Sequence, residues 1–111
     1  MLCAWSLLLS VRTQTTACAV SRQPVDDAID EAITAIDGFI IANSSLDPTH
    51  EMLEDFKRRA GEAELRQARQ LGMQKYCENN LHFRRESPDQ IRALTKGLLA
   101  VPREPVMNPC V

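Results

Sequence analysis

The 111-residue sequence predicts an all-α fold, a small bundle of three or four amphipathic helices stapled by a disulfide. Apolar residues recur at spacings of three and four along much of the chain, and several of these stretches open on helix-capping signals. No stretch alternates apolar and polar residues as a half-buried strand would.

The first segment, from Met1 to Val11, is the most apolar in the chain. Its run of about ten residues is half of what a membrane-spanning helix needs, and it matches the apolar centre of a secretory signal. Ala17-Cys18-Ala19 then supplies a small-x-small pattern for a signal peptidase, although no Lys or Arg precedes the apolar run. Residues 1–19 are therefore expected to be a signal peptide cleaved after Ala19, and residues 20–111 one helical domain with a Pro-rich tail. The competing reading is a hydrophobic first helix of the mature fold.

Pro24 opens the first helix of that domain. Val25, Ile29, Ile33, Ile36 and Ile40 line one face at helical spacing, Asp26, Asp27, Asp30 and Glu31 crowd the dipole-favoured first turns, and Asn43-Ser44-Ser45 ends it. Asp47, as N-cap before Pro48, starts the next. Its stripe, Leu53, Phe56, Ala60 and Ala63, restarts at Leu65, Ala68, Leu71 and Tyr76, which gives either one bent helix or two meeting near Gly61. Asn79-Asn80 reads as its stop. Ser87-Pro88-Asp89-Gln90 is a capping box, with Ile91, Leu94, Leu98 and Leu99 as the apolar face behind it and Pro102 as the breaker.

Cleavage after Ala19 would leave Cys77 and Cys110, an even pair expected to form one disulfide outside the cell. It would close a loop of 33 residues, worth roughly 3–4 kcal/mol by chain entropy. Without cleavage, four cysteines allow three pairings and spacing does not choose among them. No CxxC occurs, so a zinc site is not expected, and no cofactor is implied.

Charge is segregated: residues 24–56 hold nine acids and no Lys or Arg, while residues 57–111 hold eleven bases and six acids. Oppositely charged helices lying side by side account for this, as would a bipolar surface that steers a charged partner. The near-neutral total and 5% aromatic content give no reason to expect nucleic acid or an anionic membrane as partner.

Catalytic motifs are lacking. His50 and His82 stand apart from any HExxH or nucleophile pattern, and the carboxylate pairs Asp26/Asp30, Asp27/Glu31 and Glu51/Asp55 lie on polar helix faces. His50 with Glu51 and Glu54 makes only a weak cation site. The expectation is a small secreted protein, not an enzyme, that binds an extracellular macromolecule as an effector or inhibitor. A protein partner is preferred over a small molecule. Arg58, Arg59, Arg84 and Arg85 are the candidate contacts, with Asp26, Asp27 and Asp30 as the set of opposite sign. Asn43 heads a glycosylation sequon. The alternatives are a carrier of a small apolar ligand between the helices, or a peptide-hormone precursor cut at the accessible Arg84-Arg85.

Overall fold

The computed structural model describes residues 1–78 and 82–110, so the expected helix stop at Asn79-Asn80 lies outside the described residues. Five α-helices follow one another, slightly more than the three or four expected: α1 Leu2–Ala17, α2 Pro24–Asn43, α3 His50–Leu71, α4 Met73–Glu78 and α5 Pro88–Leu98. A 3-10 turn, His82–Arg85, precedes α5. No strand occurs among the described residues.

Helix α2 is the central element, packed most extensively on α5 and then on α1. The five residues of its predicted stripe, from Val25 to Ile40, are all buried. Removing each such side chain from water contributes about 1.5–3 kcal/mol. Its first turn is closed at Gln23, whose N donates to Asp26 Oδ2 at 2.8 Å and whose carbonyl oxygen accepts from Asp26 N at 2.9 Å. At α5 the expected capping box is present, with Gln90 N donating to Ser87 Oγ (3.1 Å) and Ser87 N to Gln90 Oε1 (2.7 Å). Ile91 and Leu98 are buried against the core, with Leu94 and Leu99 partly so.

Two helix boundaries differ from expectation for backbone reasons. Helix α3 begins after Thr49, whose Oγ1 accepts from Met52 N at 3.1 Å, and not at Asp47-Pro48. Asp47 takes a left-handed φ of 48° in a turn closed by its N–H on Ser44 O, a conformation that an N-cap does not use. Helix α3 also runs unbroken through Gly61 and stops at Gly72, whose φ of 109° is open to glycine and strained for any other residue. The change of stripe at Leu65 is thus absorbed by one helix rotating its face, and α4 starts after the glycine.

The apolar first segment forms α1 within this fold. Met1, Ala4, Trp5, Leu8, Leu9 and Val11 are buried, most of them in the same cluster as the isoleucines of α2. The helix closes through Cys18 N on Gln14 O and Val20 N on Thr15 O, with Ala19 at φ 50° where glycine is usual.

The cysteine pairing corrects the expected Cys77–Cys110 bond. Cys3 pairs with Cys110 and Cys18 with Cys77, and no described cysteine is free. The reason is the placement of α1. Its first turn takes the C-terminal segment alongside it, with Leu2 N on Val106 O and Cys3 N on Met107 O, while its last residues meet α4. The two bonds span 107 and 59 residues. In the chain-entropy model each alone contributes about 4–5 kcal/mol.

Candidate binding surface

The segregation in sequence becomes pairing in space only in part: Asp26, Glu31, Asp37, Glu54 and Asp55 bond bases from residues 57–111, whereas Asp27 and Asp30 are held by Arg22 and Arg12 from before α2. Arg92 Nε donates to Glu31 at 3.1 Å, and Arg22 bridges Asp27 and Asp30. Arg12 approaches Asp30 at 3.7 Å.

Arg84, expected on an accessible loop, is instead 10% exposed in a bidentate pair with Asp26, both contacts at 2.9 Å, and it donates to Ser21 O at 2.6 Å. The Arg84 hydrogen bond and charge hold the Asp26 carboxyl below the usual aspartate value, against burial, which pushes it up. The same bond raises the Arg84 guanidinium. This pair fastens the 3-10 turn to the start of α2, so two candidate contacts are structural. Arg85 is exposed.

A second buried ion pair was missed in the sequence. Lys57 Nζ donates to Asp37 Oδ2 (2.6 Å) and Glu54 Oε1 (2.7 Å), and Asp37 Oδ1 accepts from Trp5 Nε1 (3.0 Å). The Lys57 and Asp37 side chains are only 8% and 7% exposed. Burial lowers the lysine, yet the hydrogen bonds and charges of Asp37 and Glu54 outweigh it and leave Lys57 above its ordinary value. Hydrogen bonding to Lys57 in turn lowers Glu54. A signal existed: Asp37 follows Ile36 and sits four residues after Ile33, on the apolar side of α2, where an acid needs a partner.

Helices α1 and α3 leave a groove between them. Its larger section, about 410 Å³, is lined by Arg12, Thr13, Thr16 and Ala17 from α1 and by Lys57, Arg58, Gly61, Glu62 and Leu65 from α3. A smaller section of about 120 Å³ adds Ser6, Leu9, Ser10, Phe56, Ala60 and Glu64. Ser10 Oγ and the Tyr76 hydroxyl both donate to the Glu64 carboxylate, and Gln14 Nε2 donates to Tyr76 O. Burial and then the Glu64 contact push the tyrosine hydroxyl above its ordinary pKa.

Of the predicted contacts, the groove takes in only Arg58, which bonds Asp55 (2.6 Å) and Glu62 (3.0 Å). Arg59 pairs with Asp55 at 2.7 Å on the outer face. His50 lies 3.7 Å from Glu54 and is exposed. Among the described residues no three His, Cys, Asp or Glu side chains converge as metal ligands, and no helix is long and apolar enough to cross a membrane.

The sequon at Asn43 is engaged by the fold. Asn43 Nδ2 donates to Phe39 O at 2.9 Å, and Glu104 accepts from both Ser45 N and Ser45 Oγ. No family model matches the chain, and neither a curated protein nor a solved structure is significantly similar to it.

Proposed function

We propose that the protein is a secreted, non-enzymatic helical module that binds an extracellular macromolecule, and that α1 belongs to its working form. The observation that carries this reading is the state of the cysteines: all four are paired, in bonds anchored at both ends of α1. Paired structural cysteines of this kind persist in oxidising compartments. Cleavage after Ala19 would remove Cys3 and Cys18 together with six buried apolar side chains and the buried Gln14, so the geometry favours a fold that keeps the helix.

The surface supports binding over catalysis. The titratable groups of the α1–α3 groove are engaged by neighbouring side chains: Lys57 by Asp37 and Glu54, Glu64 by two hydroxyls, Arg58 by Asp55 and Glu62, and Arg12 by Asp30 at 3.7 Å. What a partner can read on α3 is Arg59 on the side of the exposed Met52 and Phe56, and the exposed Arg58 at the mouth of the groove. Arg and aromatic side chains are favoured anchors at protein interfaces.

A carrier reading has one observation in its favour. Between α2 and α5 an apolar recess of about 320 Å³ is floored by Ala28, Ala32, Ala35 and Leu99. Saturable uptake of a fluorescent fatty acid, lost on Ala32→Asp, would move the assignment there.

The test of the main reading is binding of the labelled, disulfide-bonded protein to intact cells, compared with the R58E/R59E variant. Saturable, salt-sensitive binding that the variant loses supports it. No binding, or binding that ignores both salt and the substitutions, overturns it.

A further inference from the structure

Helix α3 is under-covered for its length. Its 22 residues extend about 33 Å, yet only Leu53 and Ala68 are buried. The residues left outside are arranged. At about 100° per residue, the exposed Met52 and Phe56, the half-buried Ala63 and the exposed, polar Gln67 fall within an arc of roughly 60°, and Ala60 lies at its edge. Met52 and Phe56 are 57% and 53% exposed, although one face of the Phe56 ring stacks on Trp5.

The charges along α3 are ordered too. Glu51, Glu54 and Asp55 stand near its start, Arg66 and Arg69 near its end. Among the described residues neither of those arginines makes an ion pair or a hydrogen bond. Their neighbours Arg58 and Arg59 are both paired within the helix.

We propose that two copies of this chain associate through α3, antiparallel about a two-fold axis near Ala60. In that register Phe56 sits over the small side chain of the partner's Ala63, Met52 faces the partner's Gln67, and Ala60 meets its own counterpart at the closest approach. Small residues at the crossing let the two backbones come together, with bulky ones filling the space towards each end. Along one flank of the same seam Asp55 meets the partner's Arg66 and Arg59 meets the partner's Glu62, each pair occurring twice by symmetry. A parallel arrangement would set acid against acid and base against base. The self-complementarity of both the apolar seam and the charge order selects a second copy over an unrelated helix. The seam takes in Met52, Phe56 and Arg59, so a second copy competes with an extracellular partner for this face of α3; sedimentation of the protein alone tests the pairing apart from that partner.

The pairing is tested by charge reversal on two exposed positions. D55R sets Arg against the partner's Arg66, and R66E sets Glu against the partner's Asp55, so each homodimer carries two like-charge contacts. Each variant should weaken self-association about tenfold to a hundredfold. Mixed one to one, the variants should recover wild-type association, because a heterodimer restores opposite charges at both contacts. Sedimentation velocity on the disulfide-bonded protein reads all four samples, and recovery in the mixture also shows that both variants are folded. Wild-type protein that stays monomeric at every concentration overturns the proposal. So does a dimer indifferent to both variants, or variant monomers that do not rescue each other.

Discussion

Replacing Asp37 should unbalance the core more than any other single change to a polar side chain. Asp37→Ala removes the acceptor for Trp5 Nε1 and leaves Lys57 Nζ to Glu54 alone. An orphaned buried donor costs about 1–3 kcal/mol and a broken buried ion pair about 3–5 kcal/mol. Because the half-exposed Glu54 still holds the ammonium, the two costs together should come to about 4 kcal/mol, near the low end of their sum. That is a large share of the 5–15 kcal/mol typical of a domain.

Equilibrium urea unfolding reads the loss directly, with the fluorescence of Trp5, the only tryptophan, as reporter. Asp37→Asn should lose less, since its amide oxygen can still accept from Trp5. Lys57→Met strands Asp37 in turn, and the K57M/D37N double variant should be at least 2 kcal/mol more stable than the two single losses would give if they added. Since Lys57 is raised in the fold, its contribution is intact below the unfolded value of about 10.4 and fades only as pH rises through the folded value. The Asp37→Ala loss should therefore be constant across the neutral range. A loss under 1 kcal/mol, or strict additivity in the double variant, would refute the reasoning.

Other expectations follow from the same geometry. The double serine variants C3S/C110S and C18S/C77S should each lose about 3–5 kcal/mol in non-reducing urea titrations, which places the two staples at comparable strength. Asp26, lowered in the fold by Arg84, contributes stability above the unfolded aspartate value of about 3.9 and loses it as pH falls through its folded value; acid titration of D26N should be flatter than wild type below about pH 4. Gly61→Ala meets only Thr13 Oγ1 at an ordinary 3.5 Å within α3 and should raise stability by up to about 1 kcal/mol. Gly72→Ala must adopt a φ of 109° and should cost about 1–3 kcal/mol, both read as shifts in the thermal midpoint.

The elements built from local rules were legible. The isoleucine stripe of α2 and the Ser87 capping box depend on neighbours three and four residues away, and both stand where the pattern puts them. What escaped the sequence depends on distant partners or on backbone angles. Gly61 and Gly72 look alike as letters, and only the positive φ at Gly72 makes it the break between α3 and α4. Arg84 and Arg85 are adjacent, but the reach of Arg84 to Asp26, fifty-eight positions away, buries it and leaves Arg85 outside. The disulfides turned on whether α1 is part of the fold. With its two cysteines present, Cys77 and Cys110 face opposite ends of that helix and pair with it, and not with each other.

The most direct test is intact mass, N-terminal sequencing and non-reducing peptide mapping of protein recovered from the medium of expressing cells. A secreted chain that still contains residues 1–19, gains four hydrogens on reduction and yields linked peptides holding Cys3 with Cys110 and Cys18 with Cys77 is the predicted result. A secreted chain beginning at Val20 with a lone Cys77–Cys110 bond, or protein confined to the cytosol with four free thiols, would contradict it.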